Sequence, residues 1–351
     1  MGKHVAVLCL LVGCGRFGFD DMQPESPPPS NAFTHEIPAV CGMTSIAGIT
    51  PVTDADLSVA VSPTTVALFS VPTTGGNLFG AALDRSHTVI SQGTVRTGPF
   101  TQSGAAYVDG TLIAATVSGQ RTLVNNVAMT MDGFTEIGNV DGEMVGKQSL
   151  LYATSDRITP TACSGGLIVN PFSQTWTQGA QYVVSSAQST GIGVVADGNE
   201  VLAAWSTDAQ CNVYRITDGA NATGNSQPWA CGSPRLSIAS GVETMLFEAS
   251  DGVRLASIDD TALSSGSMLL VDGGTSPRIL YDGTRTWIAY RDASGQLQFG
   301  AYDETGRLQI VASGLYPAHD AFEFAIVDGE LYLYAISGGA YDAIHACMVS
   351  V

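Results

Sequence analysis

Charged side chains follow the second predicted strand of several chain segments, at positions where they could contact a polar ligand. Carboxylates and guanidiniums in such loops could orient a sugar or a peptide, and a carboxylate pair could hydrolyse a glycoside. The alternative is turn chemistry, because Asp before Gly or Ser stabilises a hairpin and Arg pairs with a neighbouring Asp. We predict a ligand-binding role for six of these residues, namely Asp156, Arg157, Asp208, Asp251, Arg291 and Asp292.

No complete catalytic motif is present in the sequence. The Gly-x-Ser-x-Gly nucleophile turn is missing. His35 and Glu36 begin like a zinc-protease helix, but position 39 is Ala and Pro38 would break the helix. No two cysteines have metal-ligand spacing, and the histidines are scattered. We therefore predict no catalytic residue, no metal and no cofactor.

The N-terminal residues have the pattern of an export signal, with Lys3 followed by an apolar run over residues 5–12. The run ends in Leu11-Val12-Gly13-Cys14, which resembles the lipobox of bacterial lipoproteins. The resemblance implies that residues 1–13 are a signal peptide and that Cys14 becomes the lipidated first residue. The alternative is an ordinary secretory signal cut nearby, which leaves Cys14 as a free thiol.

Residues 14–33 are predicted to be a tether, because they are rich in Pro and carry little periodic apolar content. In enterobacterial lipoproteins an Asp after the lipidated Cys retains the protein at the inner membrane, and here that residue is Gly15. The resemblance thus implies a lipid-anchored, extracytoplasmic protein at the outer membrane or surface of a bacterium.

Turn-forming residue pairs follow apolar runs at intervals of roughly 40 to 50 residues, which indicates an internal repeat. Each pair precedes a second β-rich run, such as Trp287-Ile-Ala-Tyr290. The seven pairs are Ser62-Pro63, Asp109-Gly110, Gly146-Lys147, Asp197-Gly198, Ser240-Gly241, Asp282-Gly283 and Asp328-Gly329.

This pattern resembles seven-bladed β-propellers, in which four-stranded sheets are stacked radially. The resemblance implies an all-β propeller over residues 34–351, with seven blades expected and six or eight possible. The repeat matches no WD40, kelch, integrin or sialidase motif, so the subfamily is unassigned. The alternative is a pair of β-sandwiches with coincidental hairpins.

The last repeat is one strand short, and residues 34–43 could supply its missing outer strand and close the ring. Cys41 and Cys347 would then lie on adjacent antiparallel strands. We predict this disulfide and a second one between Cys211 and Cys231, with Cys163 left unpaired. The alternative for Cys211 and Cys231 is two buried thiols.

Composition limits the functional classes. The 351 residues include 14 Lys+Arg and 32 Asp+Glu, and the net charge of −18 excludes nucleic-acid binding driven by phosphate contacts. We predict a non-enzymatic module that binds a protein or a glycan at the cell envelope, with the lipid anchor in the membrane. A glycosidase-type hydrolase that uses loop carboxylates and a structural envelope protein are the alternatives.

Overall fold

A computed structural model describes residues 36–350, and between residues 117 and 190 it describes strands but almost no side chains. The residues outside the description are 1–35, 101, 109–110, 119–120, 131–132, 146–147, 151–152, 155–156, 159–160, 164–166, 170–181, 186–190, 198–199, 207–209, 218–220, 240, 260–261, 303–307, 312–320 and 351. The predicted signal peptide, tether and Cys14 lie outside the described residues. No helix that is long and apolar enough to cross a membrane occurs in the described residues.

The described chain is built from β-strands joined by turns. In chain order the strands are β1 (Glu36–Ile46), β2 (Ala55–Val61), β3 (Val66–Pro72), β4 (Gly76–Leu83), β5 (Val89–Phe100), β6 (Gln102–Val108), β7 (Thr111–Ser118), β8 (Arg121–Thr130), β9 (Gly133–Val145), β10 (Gln148–Leu150), β11 (Ala153–Thr154), β12 (Arg157–Ile158), β13 (Thr161–Cys163), β14 (Leu167–Val169), β15 (Tyr182–Ser185), β16 (Gly191–Asp197), β17 (Glu200–Ser206), β18 (Cys211–Thr217), β19 (Asn221–Gln227), β20 (Gly232–Ala239), β21 (Val242–Ala249), β22 (Gly252–Asp259), β23 (Ala262–Leu263), β24 (Met268–Asp272), β25 (Thr275–Tyr281), β26 (Thr286–Arg291), β27 (Leu297–Tyr302), β28 (Leu308–Ile310), β29 (Ala321–Val327), β30 (Glu330–Ser337) and β31 (Ala340–Ser350).

These strands form antiparallel sheets that follow one another along the chain. Sheet 1 is β2–β5, sheet 2 is β6–β9, sheet 3 is β10 with β13–β15, and sheet 4 is β16–β19. Sheet 5 is β20–β24, sheet 6 is β25–β28, and sheet 7 has the order β1-β31-β30-β29. The short strands β11 and β12 pair only with each other. The prediction of an all-β chain with a repeated four-stranded unit is confirmed.

The first strand of each sheet contacts the first strand of the next sheet. Examples are β2 with β6, β16 with β20, and β20 with β25. The contacts of β29 with β25 and with β2 connect sheets 6, 7 and 1.

The second strand of a sheet is buried on both faces, as the burial of β3 and β26 shows. On β26, Trp287 and Ala289 pack in a core shared with sheet 7, whereas Ile288 and Tyr290 pack in a core shared with sheet 5. Successive side chains of a strand point to opposite faces, so an unbroken apolar run is what a strand covered on both sides requires. This explains the repeated apolar runs and the burial of Trp287, which is only 1% exposed.

The Asp282-Gly283 turn shows why such pairs separate the first two strands of a sheet. The Oδ1 atom of Asp282 accepts hydrogen bonds from the backbone N–H groups of Thr284 and Arg285, each at 2.7 Å. Its Oδ2 atom accepts from the indole Nε1 of Trp287 at 2.7 Å. Gly283 has a φ of 101°, a conformation that costs glycine little.

In chain order, six of the seven predicted turn pairs come at the junction of the first and second strands of a sheet, although Asp109-Gly110, Gly198 and Ser240 themselves lie outside the described residues. The seventh, Gly146-Lys147, is outside the described residues and precedes β10, which is itself the first strand of sheet 3. Its predicted position within the repeat is therefore wrong. The pair β11–β12 lies in the connection between β10 and β13, the first two strands of sheet 3.

The N-terminal strand β1 joins the C-terminal sheet, as the sequence predicts. It pairs antiparallel with β31, from Glu36 opposite Ser350 to Ile46 opposite Tyr341. The pairing is shifted between Val40 and Gly42, so Cys41 is the extra residue of a β-bulge. Strand β1 is thus the outermost strand of sheet 7.

Candidate functional site

A pocket of about 640 Å³ opens at the end of sheet 5 where β20 begins and β21 turns into β22. Its lining combines aromatic, charged and hydroxyl side chains, among them Trp229, Glu248, Asp251, Arg254 and Ser267. Its volume lies within the range of roughly 300–1,000 Å³ that is usual for small-molecule sites. We therefore take this pocket as the candidate binding site.

Trp229 forms an aromatic wall of the pocket. Its ring stacks on that of Phe247, with centroids 4.9 Å apart and an interplanar angle of 15°. Phe247 is buried, whereas Trp229 is only partly buried. Because the tryptophans lie at or near strand runs, the sequence predicts that they pack between sheets. Trp205 and Trp287 are buried accordingly, each 1% exposed, but Trp229 also lines the pocket.

A disulfide holds the segment that carries Trp229. Cys231, two residues further on, is bonded to Cys211, with Cα atoms 5.2 Å apart, and both cysteines are fully buried. The predicted disulfide is confirmed, but its geometry differs, because the residue opposite Cys211 on β19 is Gln227. Cys231 instead lies in the connection from β19 to β20, so the disulfide fixes the wall of the pocket.

Asp251, Arg254 and Ser267 form a fixed polar group in the pocket. Arg254 donates through Nε and a terminal nitrogen to the two carboxylate oxygens of Asp251, at 2.9 and 2.6 Å. Its other terminal nitrogen donates to the carbonyl and the hydroxyl oxygen of Ser267, each at 3.1 Å. The hydrogen bonds from Arg254 hold the pKa of Asp251 below its ordinary value, so its carboxylate stays ionised.

Further charged residues lie near the beginning of the first strands of four sheets. They are Asp56 on β2, Arg235 on β20, Arg278 on β25 and Glu323 on β29. Arg278 Nε donates to Glu323 Oε2 at 2.8 Å, and Asp56 Oδ2 accepts from the backbone N–H of Ser103 on β6 at 2.7 Å. We call Asp56, Arg235, Arg278 and Glu323 the inner charged cluster.

The electrostatics show that the members of the inner charged cluster share one environment. Burial raises the pKa of Asp56, against the lowering effects of the Ser103 N–H and of Arg278 and Arg235. Burial and the charge of Arg278 lower the pKa of Arg235 to about 10, against the charges of Glu323, Asp56 and Glu248. Arg235 therefore remains a cation at neutral pH, and Glu248 connects the cluster with the pocket that it lines.

A repeated tripeptide positions the two arginines of the inner charged cluster. Ser233-Pro234-Arg235 and Ser276-Pro277-Arg278 each contain a serine with positive φ, 43° and 54° respectively. At both places the pairing with the next strand is shifted. The prolines lack the N–H that a regular ladder would use, which suits them to an irregular strand start. Each arginine then donates to the carbonyl of the proline before it.

The structure places only some of the six residues that the sequence predicts as ligand-binding. Asp156 and Asp208 lie outside the described residues, and for Arg157 only its place in β12 is described. Asp251 lies in the pocket, whereas Arg291 ends β26. Asp292 accepts hydrogen bonds from Ser294, Gln296 and Gln298, which is turn chemistry. The ligand-binding role of the six stays a prediction.

Sequence reasoning missed Trp229, Glu248, Arg254 and the inner charged cluster. The repeated Ser-Pro-Arg tripeptide was a detectable signal for the two arginines, since it occurs 43 residues apart, roughly the repeat length. Nothing in the sequence marked Trp229, because whether a tryptophan borders a pocket depends on the packing around it. In the described part of the chain, no three His, Cys, Asp or Glu side chains are grouped so that they could hold a metal ion.

The second predicted disulfide, between Cys41 and Cys347, is also present. Their Cα atoms are 5.9 Å apart, and 306 residues separate them in the sequence. The bond joins the bulge of β1 to β31, so it connects the two ends of the described chain.

Comparison with known proteins identifies the class of fold. No protein-family model matches the chain, and no curated protein matches its sequence. Among solved structures, it is similar to the β-propeller domain of Cps50 (Swd1) from Myceliophteria thermophila, with a TM-score of 0.57. The match covers 88% of this chain and 100% of that chain at 14% identity. The chain is therefore an all-β protein with a β-propeller fold.

Proposed function

We propose that this chain is a lipid-anchored, extracytoplasmic β-propeller that binds a protein or a glycan at the bacterial cell envelope without catalysing a reaction. The observation that carries the proposal is the pocket at the end of sheet 5, which combines an aromatic wall with fixed polar groups. A β-propeller is suited to such a role because loops from several sheets meet on one face.

The proposed architecture is a closed ring of seven blades, one for each of sheets 1 to 7. The contacts of β2 with β29, and those between other successive first strands, support this arrangement. So does the pairing of β1 with β31, since sheet 7 would otherwise have three strands. In this ring the pocket and the inner charged cluster lie at the same end, where the first strands begin.

A screen with a blocked pocket tests the proposed binding function. The full chain, purified in detergent, is exposed to a glycan array and to envelope extracts, alongside the variant Ser250→Trp. Ser250 is an exposed turn residue that lines the pocket, so a tryptophan there should fill it without disturbing the core.

The matched control is Thr74→Trp, which places the same side chain in the corresponding turn of sheet 1, between β3 and β4. We expect at least one glycan or protein to bind the natural chain and the control but not Ser250→Trp. Binding that is equal in all three, or absent in all three, would contradict the proposal.

The lipid anchor is supported by the lipobox-like segment that ends at Cys14. Treatment of bacteria producing the chain with globomycin, an inhibitor of lipoprotein signal cleavage, should cause the precursor to accumulate. Cys14→Ser should abolish acylation and release the protein from the membrane fraction. Unchanged mobility together with unchanged fractionation would contradict the anchor while leaving the proposed binding function intact.

A glycosidase-type hydrolase is the second candidate, because Glu248 and Asp251 line the same pocket. Glycoside hydrolysis generally uses two carboxyl groups, one of which donates a proton. Asp251 is poorly suited to donate, since Arg254 binds both of its oxygens and lowers its pKa. Release of reducing ends from a bound glycan, lost in Glu248→Gln, would favour the hydrolase, whereas binding without turnover supports the module.

A further inference from the structure

We infer that the pocket at the end of sheet 5 binds a neutral carbohydrate, with a sugar ring placed against Trp229. This inference rests on the proposed binding function and names the chemical class of its ligand. Its support comes from the aromatic wall, the fixed polar groups, the sign of the local charge and the position of the pocket at the end of a sheet.

Trp229 supplies a rigid flat surface of the kind that suits a sugar ring. One side of its indole is supported by the stacked ring of Phe247, and the nearby Cys211–Cys231 disulfide restrains its backbone. The C–H groups on one side of a pyranose form an apolar patch that packs on an aromatic face. A supported tryptophan loses little conformational entropy on binding, which favours affinity.

The polar groups of the pocket match the hydroxyl groups of a sugar. The Asp251 carboxylate accepts hydrogen bonds, the Arg254 guanidinium donates them, and serine hydroxyls can do both. Asp251, Arg254 and Ser267 hold one another in place, so their orientation is set before a ligand arrives. Adjacent sugar hydroxyls both donate and accept, and they can therefore bind to such a mixed set.

The charge of the pocket argues against an acidic ligand. Among the charged lining residues, Glu248 and Asp251 outnumber Arg254, and the chain as a whole carries a net charge of −18. An acidic glycan or a phosphorylated ligand would be repelled both locally and at a distance. An apolar ligand would leave the ionised Asp251 and Arg254 desolvated without new hydrogen bonds.

The position of the pocket disfavours a peptide that binds by strand addition. Its lining comes from sheet 5 and the connection that precedes it, residues 229–267, and it lies at one end of that sheet. Such a peptide needs a long, unpaired sheet edge, whereas this pocket lies where strands end and turn.

The test measures binding of defined oligosaccharides to the full chain in detergent. The probes are the hexasaccharides of cellulose, laminarin, xylan, mannan and chitin, with heparin and sialyllactose as acidic comparisons. We expect calorimetry to detect at least one neutral probe, and Trp229→Ala to weaken its binding by about tenfold or more. Trp229→Phe should retain part of the affinity.

Tyr281→Ala is the matched control, because it removes an aromatic ring at the opposite end of the neighbouring sheet. Ser250→Trp provides a second test that leaves Trp229 in place, and thermal unfolding verifies that each variant folds. Binding only of acidic probes, or neutral binding unchanged in both pocket variants, would overturn the inference. If no carbohydrate binds but an envelope protein does so through the pocket, the inference fails while the proposed binding function stands.

Discussion

At the residue scale, Asp282 is an example of one side chain that organises a turn and also anchors a buried tryptophan. Burial acts to raise its pKa, but the N–H groups of Arg285 and Thr284, the Thr284 hydroxyl and the Trp287 indole together hold that pKa below the ordinary value of 3.8. The ionised carboxylate is therefore favoured in the folded state. Its stabilising effect is present above pH 3.8 and is lost as the pH falls through the lowered folded-state pKa.

Asp282→Asn should lower the free energy of unfolding at pH 7 by about 1 kcal/mol, a value reduced by water screening of the partly exposed turn. The amide cannot accept from the Trp287 indole and all the turn donors at once. Urea unfolding at pH 7 and pH 3 measures the effect, which should be smaller at pH 3. Asp84→Asn is the control for the bond to Trp287, because Asp84 accepts similar hydrogen bonds from the N–H groups of its own exposed turn. If Asp282→Asn lowered the free energy of unfolding equally at both pH values, the role of the ionised carboxylate would be contradicted.

The tryptophans show the limit of sequence reasoning at this scale. Trp287 and Trp229 both lie at or next to strands, and the sequence predicts inter-sheet packing for each. Trp287 is fully buried, whereas Trp229 borders the pocket, because the turn after β21 and the loop before β24 leave space beside it. That space depends on residues distant from Trp229 in the sequence, so the local sequence around Trp229 does not predict it.

At the element scale, β1 connects the two ends of the described chain. It carries Cys41 in a bulge that faces Cys347, and Glu36 at its start forms an ion pair with Arg285 of sheet 6. This pairing could be predicted because sheet 7 lacked a strand in the linear sequence. The bulge could not, since it depends on the register that the strands adopt.

The double variant Cys41→Ser/Cys347→Ser should lower the free energy of unfolding by about 2–4 kcal/mol, because the disulfide restrains the unfolded chain. Deletion of residues 34–43 should lower Tm by more, since it also removes most of the pairing with β31. Differential scanning calorimetry measures both. The control deletion removes residues 15–30. If the two deletions shift Tm equally, β1 adds little to stability.

The Cys211–Cys231 disulfide should stabilise sheets 4 and 5 and the pocket wall together. In the chain-entropy model a loop of about 20 residues corresponds to about 3 kcal/mol. We expect Cys231→Ser to lower the unfolding free energy by that amount, and Cys163→Ser, at the predicted unpaired cysteine, to have a much smaller effect. Mass mapping without reduction should show Cys211 and Cys231 in one linked peptide pair. Free thiols at both positions would contradict the bond.

At the scale of the whole molecule, the repeat determines the fold because each sheet needs a neighbour on both faces. The sequence showed this through runs such as Trp287-Ile-Ala-Tyr290, whose alternate residues pack in cores shared with sheets 7 and 5. A sandwich would bury only one face of each sheet. The candidate site was less predictable, because it combines residues whose proximity results from the packing of sheets and loops.

The radial arrangement of the sheets is the central claim, since the shared position of the pocket and the inner charged cluster depends on it. A crystal structure of the full chain tests it most directly. We expect seven sheets around a central channel, with β1 in sheet 7 and with Asp56, Arg235, Arg278 and Glu323 at the end where the Trp229 pocket opens. Two layers packed face to face, or fewer than six radial sheets, would contradict it.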